Sequence, residues 1–235
     1  MDRSFWARTL DVALGDVAAL VAPAQIVLCE GKPVSGNHAR SEFDARCYRA
    51  IFGDLRTDTE FVSVGNSLEV QTDYLQIGET FSTLVSGTTV IRVIDRDHRS
   101  EFEVAELAAS GVRVLSRRHL EAFLLDDEVL GALCIAVQQP QKTDEVLEIR
   151  MTALAESVAR GNDGDDLKSA AGTIFTRVRT TLALQQPGNS TEAFLADTLA
   201  PLIKPGLGYS RNLSATFFGR VQGDATTAED SYPSS

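Results

Sequence analysis

The sequence predicts an α/β protein: a parallel sheet flanked by helices, with a C-terminal helical appendage. Three observations predict it. Short apolar runs of strand length alternate with stretches of helical period through the first half of the chain. Each run closes on polar or glycine residues, as a buried strand does when it reaches a loop. From Arg118 onward the short runs cease and helical periodicity continues nearly to the end.

The elements follow in order. Residues Asp2 to Val21 space Phe5, Trp6, Leu10, Leu14 and Val17 roughly at helical period, and Pro23 closes them, so residues 1–23 form an N-terminal helix. "AQIVLCEG" is the first strand and "PVSGNHARS" a loop. "EFDARCYRAIFGDL" reads as a helix with Phe43, Cys47 and Ile51 on one stripe, and "TEFVSVGN" is the second strand. "SLEVQTDYLQIGETFSTLVSG" is helical in pattern, "TTVIRVID" is the third strand, "EFEVAELAASG" a short helix and "VRVLS" the fourth strand. Strand–helix alternation of this kind builds a parallel sheet, here over residues 24–135. "RRHLEAFLLDDEVLGALCIAVQQ" reads as a helix that leads into the appendage, residues 136–222, where "TDEVLEIRMTALAESVARG", "DDLKSAAGTIFTRVRTTLALQQ" and "STEAFLADTLAPLIKPG" also read as helices. Residues 223–235 have almost no large apolar side chain and read as a disordered tail.

Composition narrows the function. Hydrophobic residues at 43% and charged residues at 23% are those of a water-soluble domain, and no apolar run reaches the ~18 residues of a membrane span. Three widely spaced cysteines without a CxxC pair fit reduced thiols in the cytoplasm. The net charge of −11 opposes non-specific binding of phosphate backbones, so any nucleic-acid contact needs a local basic patch or a partner chain.

The chemistry concentrates at strand ends, where active groups of parallel sheets collect. Glu30 ends the first strand, and Asp95 and Asp97 end the third, pointing the same way if strand alternation continues through them. Converging carboxylates repel unless a cation neutralises them, and Mg²⁺ or Mn²⁺ takes oxygen ligands of this kind. For an isolated Asp-x-Asp the competing reading is a strand-to-loop turn with solvated acids.

"IVLCEGK", "EFDARCYRAIF", "FVSVGN" and "VIRVIDRDHRS" together resemble a Toprim domain, the metal-binding module of topoisomerases, primases and several nucleases. Glu30-Gly31 and Asp95-x-Asp97 match its two motifs. The chain is similar in particular to the Toprim proteins that work with ABC-type ATPases in anti-phage defence, the overcoming-lysogenisation-defect (OLD) nucleases and the Toprim effector of the PARIS system. That resemblance implies a divalent-metal-dependent endonuclease acting on DNA or RNA, tRNA included. Glu30, Asp95 and Asp97 would be its catalytic and metal-holding residues. Lys32, just after the glutamate-glycine, is either a solvated loop lysine or a contact to the scissile phosphate that, like a second cation, would stabilise the leaving oxygen. In that group an acid preceding a tyrosine also joins the metal. Asp44, with Tyr48 after it, supplies this feature, but it stands fourteen positions after Glu30 because "PVSGNHARS" intervenes, and Glu42 competes with it. Glu121 in "HLEAFLL" is the candidate for a second cation, or else an exposed acid on an amphipathic helix.

Arg96, Arg99, Arg117 and Arg118, with Arg92 and Arg113 nearby, are either salt-bridge partners of the acids or a basic rim that brings a nucleic-acid backbone to the cations. His98 and His119 are either surface residues or donors to phosphate and metal. No GxxxxGK[ST] phosphate loop occurs, so ATP chemistry would belong to a separate ABC-type ATPase chain. The alternative function is a non-catalytic metal-binding interaction subunit of such a complex. Homo-oligomerisation stays open.

Overall fold

The computed structural model describes residues 22–32, 42–73, 76, 87–185, 188, 190–204 and 213–217. The expected N-terminal helix, the loop over 33–41, most of the helix over 67–87 and the tail over 223–235 lie outside the described residues. Strands β1 (Gln25–Glu30), β2 (Thr59–Gly65), β3 (Thr89–Ile94) and β4 (Val112–Val114) pair in parallel in the order β2-β1-β3-β4. Strand alternation divides their side chains between two faces. Val27, Cys29, Phe61, Ile91 and Val93 enter one core; Ile26, Leu28, Val64, Ile94 and Val112 enter the other.

The larger core is covered by α1 (Phe43–Phe52), whose Tyr48, Ile51 and Phe52 pack against Phe61 of β2. Phe217 closes the aromatic group, with its ring centroid 4.6 Å from that of Tyr48. The same core runs without a break into α4 (Glu121–Leu124), α5 (Asp127–Ala136), α6 (Thr143–Ala159) and α7 (Leu167–Thr181). It ends on a segment that starts as α-helix at Thr191–Ala193, widens to a π-helical turn over Phe194–Leu199 and tightens to a 3₁₀ turn over Ala200–Leu202. The C-terminal helices therefore share one core with the sheet. Helix α7 shows why: Leu167, Ala170, Ala171, Ile174, Phe175 and Val178 recur at helical period and are all buried. The smaller core is met by α2 (Ser67–Gln71) and α3 (Glu101–Ala109), through Val70 and Leu107.

Four elements differ from expectation. The helix expected over 67–87 already stops at Gln71, before Asp73 at φ +48°, and the one expected over 190–206 is broken into α, π and 3₁₀ turns. The single helix expected over "RRHLEAFLLDDEVLGALCIAVQQ" is two, because Asp126 accepts the Glu128 N–H and so caps α5 where a continuous helix would need ordinary helical backbone. The fourth strand stops at Val114, two residues before the expected end.

The strand order carries the functional consequence. The chain steps from β1 outward to β2, then returns across β1 to β3. Its direction of winding thus reverses between β1 and β3, and the crevice beyond their carboxyl ends is where open parallel sheets bind ligands. Glu30 and Asp95 stand at those two ends.

Candidate metal centre

The first wall of the site is built at the end of β1. The β1–β2 register shifts between Cys29 and Glu30, and the Gly31 N–H bonds to the Gly65 carbonyl at 2.8 Å. Gly31 has φ +119°, and a Cβ there would stand 2.8 Å from Ser63 Oγ, so this position requires glycine on both counts. Beside it, Glu30 Oε1 accepts the Asp95 backbone N–H at 3.0 Å, linking the ends of β1 and β3.

Asp95 and Asp97 converge by a different route from the one expected. The β3 ladder ends at Ile94, and Asp97 lies in the left-handed region at φ +47°, so a turn brings the two carboxylates together where strand alternation was expected to. That turn is held from three directions. The Asp97 N–H donates to the Arg118 carbonyl at 2.9 Å, and Asp95 Oδ1 accepts the Leu120 N–H at 3.2 Å. Arg99 reaches the Asp95 carbonyl and Asp97 Oδ2, each at 2.9 Å, and Ser67 Oγ at 2.6 Å. His119 Nε2 lies 3.3 Å from Asp97 Oδ1. One ligand atom from each of Asp95, Asp97 and His119 falls within 4.8 Å of the others, so these three side chains could hold a metal ion. Asp95 and His119 are buried and Asp97 is half-buried.

The remaining acids gather around this trio. Glu121 is buried at the start of α4, and Asp44, in the first turn of α1, interacts electrostatically with Asp95, Glu121 and Glu30. Two cations answer the acids, Arg99 at 2.9 Å from Asp97 Oδ2 and a lysine from the C-terminal half. Lys168, in the first turn of α7, places Nζ 3.8 Å from Asp95 Oδ2. A lysine in a helix's first turn opposes the helix dipole, so the acids facing it must outweigh that cost. The loop before α7 is anchored to the sheet edge: Arg118 pairs with Asp163 at 2.5 Å and Asp165 at 2.8 Å, and Asp166 caps α7 through the Ser169 N–H.

Burial and mutual repulsion leave the acids far from neutralised. Burial raises the Asp95 carboxyl to about 8, with Glu30 and Glu121 adding to the rise and Lys168 opposing it. Burial likewise raises Asp44 well above the usual carboxylate range, reinforced by Asp95 and Glu121. Glu30 is raised by burial, against the stabilising Asp95 N–H. Burial alone would lower Lys168, but Glu121, Asp95, Asp44 and Glu30 together raise it, so it stays an ammonium. Burial and Lys168 push the His119 imidazole below its ordinary pKa. Neutral imidazole is the metal-ligating form, and the buried Nδ1 of His119 has no hydrogen-bond partner among the described residues. The residues present fit a hard divalent cation.

Of the expected residues, Glu30, Asp44, Asp95, Asp97 and Glu121 come together. Glu30 adjoins the Asp95–Asp97–His119 trio without belonging to it. Glu42 turns to Arg49 at 3.3 Å, which leaves Asp44 as the acid from this segment. Lys32 is exposed at the end of β1 and its side chain makes no contact with the cluster among the described residues; Lys168 is the ammonium found there. Arg118 departs from the expected rim because it is buried in ion pairs with Asp163 and Asp165, and Arg99 departs from it because it staples the Asp95–Asp97 turn. Arg96 pairs with Glu101, and Arg117 with Asp126, both at 2.6 Å. His98 is exposed beside Asp163. Sequence reasoning missed Lys168 and underrated His119. The one available signal for Lys168 was a cation set against the dipole, two residues after the capping Asp166.

No helix among the described residues is long and apolar enough to cross a membrane. Neither family models, curated proteins nor solved structures give a match to this chain.

Proposed function

We propose that this chain is a divalent-metal-dependent nuclease of Toprim type that hydrolyses nucleic-acid phosphodiester bonds. The observation that carries the proposal is the gathering of Glu30, Asp44, Asp95, Asp97, Glu121 and His119 at the reversal point of a parallel sheet, with Lys168 the ammonium placed against them. Five carboxylates facing one ammonium and the Arg99 guanidinium leave the site short of positive charge, which Mg²⁺ or Mn²⁺ would supply. Asp95, Asp97 and His119 would hold the cation; Asp44 and Glu121 stand where a second would be bound. A divalent cation bound there would supply electrophilic activation of a phosphoryl oxygen and make a bound water more acidic.

The chain's own groups complete the chemistry. Water oxygen forms the new bond to phosphorus as the bond to the leaving ribose oxygen breaks. Glu30, its carboxyl raised by burial, takes up the water's proton or returns one to the leaving oxygen. Lys168 offsets the negative charge that accumulates on phosphoryl oxygens. A role as effector beside an ATPase chain rests on the sequence resemblance alone, and co-purification with such a chain tests it.

The test of hydrolysis is incubation of the protein with Mg²⁺ or Mn²⁺ and plasmid, single-stranded DNA or total tRNA, beside Glu30→Ala and Asp95→Ala. Metal-dependent products from the wild type and none from Asp95→Ala are expected. Undiminished cleavage by both variants, or no cleavage of any substrate with either metal, overturns the proposal.

A further inference from the structure

A second site adjoins the first. A cleft of about 500 Å³ is lined by Arg96, Arg117, Arg118 and Arg150, together with Glu101 and Asp126. Its volume lies in the range of small-ligand pockets. Its position is tied to the metal cluster by sequence: Arg96 sits between Asp95 and Asp97, Arg118 precedes His119, and the lining residues Ala122 and Leu167 adjoin Glu121 and Lys168. Segments that build the cluster thus also build the cleft.

We propose that this cleft binds a phosphate group, carried by a polynucleotide or a free nucleotide, through Arg96, Arg117 and Arg150. The carboxylates in its walls are already answered. Glu101 pairs with Arg96, Asp126 with Arg117, and the lining Asp165 with Arg118. Within the lining four guanidiniums meet three carboxylates, while Arg118 and Arg150 pair also with Asp163 and Asp127 outside it. Each of the three guanidiniums is fixed along one side. Arg117 Nη1 donates to the Ala122 carbonyl at 2.6 Å, with the guanidinium 5.2 Å from the Phe123 ring centroid. Arg150 Nε donates to the Leu125 carbonyl at 2.7 Å, and its Nη1 pairs with Asp127. Arg96 engages Glu101 through Nη2 alone.

The other sides are open. Nη1 of Arg96 and Nη2 of Arg117 and of Arg150 have no hydrogen-bond partner among the described residues. The deeper Arg118 also has a buried Nε without a partner. Forks held on one edge and open on the other are the geometry that takes phosphate oxygens in pairs, with little ordering left to do on binding. The polynucleotide source rests on the nuclease proposal, whereas the phosphate site itself stands on these arginines.

Binding measured in EDTA separates the two. A labelled single-stranded oligonucleotide is titrated with protein at several salt concentrations, and ATP is titrated by calorimetry. Arg96→Ala and Glu101→Gln are suited to the test, since the ion pair joining these side chains is at the surface and Glu101 is 85% exposed. Arg96→Ala should weaken binding about tenfold and lower the salt slope by about one. Glu101→Gln, which frees Arg96 and removes a competing charge, should tighten binding severalfold. Binding of the oligonucleotide alone identifies a polynucleotide phosphate, and binding of ATP alone a free nucleotide; either sustains the site. Wild-type affinities and salt slopes in both variants, or no binding of either ligand to the wild type, overturn it. Because no metal is present, loss of this site with cleavage intact, and the converse, are distinguishable results.

Discussion

The metal cluster and the arginine cleft share backbone segments yet settle their charges in opposite ways. In the cleft each of Glu101, Asp126 and Asp165 has an arginine within 2.8 Å. In the cluster Asp95, Asp44 and Glu30 all have raised pKa values, and the nearest ammonium stays 3.8 Å away. One region is balanced by the chain itself; the other is left for something to balance. Clustered acids answered only by Arg99 and Lys168 are costly in a fold, and Asp95, Asp97 and His119 among them could hold a metal ion.

The largest effect that sharpens this contrast should come from pH. The folded Asp95 carboxyl titrates near 8, far above its unfolded value, so the folded state holds a proton that the unfolded state releases. Its contribution to stability is fully present below about pH 4 and is lost as pH rises through about 8. Melting of the metal-free protein should therefore fall by roughly 10 °C between pH 5 and pH 8.5. Asp95→Asn should flatten that fall, and Mn²⁺ should raise the wild-type melting temperature more at pH 8 than at pH 5.5. Melting that is flat with pH in the wild type would show that the cluster is already neutralised.

Lys168 comes next. Replacing it with methionine keeps much of the stem's packing and removes the only ammonium set against the acids among the described residues. Cleavage should fall on the order of a hundredfold, and Mn²⁺ binding measured by calorimetry should persist, since the carboxylates remain. A Lys168→Met protein that cuts at the wild-type rate would place the lysine outside the chemistry.

The smallest effect should lie in the paired region. Arg118→Ala leaves Asp163 and Asp165 without their partner, but both acids are more than half exposed, so water takes over much of that role. A loss of about 1–2 kcal/mol is expected in urea unfolding. Faster amide exchange over residues 160–168 should accompany it, because Arg118 anchors the loop that presents Lys168. A loss equal to that of a disrupted core would mean that this ion-pair cluster is no less dependent on its charges than the metal site.

The chain's local chemistry made much of this legible. Apolar runs of strand length and helical stripes such as the one in α7 follow from burial periodicity alone, and so the α/β class and most element positions could be read directly. Glu30 and Asp95 were readable because strand ends in a parallel sheet are where ligands are met. Asp97 does lie beside Asp95 but for a different reason, since a left-handed turn aims it where alternation was expected to. The arginines were harder. Arg99 and Arg118 look like rim residues in a linear string, and only the fold shows the carbonyls and carboxylates they reach.

What the sequence determined by itself is local: which stretches bury one face, where they stop, and which acids stand at those stops. The tertiary structure alone decided which distant side chains meet. Strand order put β1 beside β3, a core shared with the C-terminal helices brought Lys168 to Asp95 from 73 positions away in the chain, and a backbone bond from Asp97 to Arg118 set His119 beside the acids. The physical reason is that hydrophobic periodicity specifies faces, whereas long-range contacts depend on how those faces are packed together.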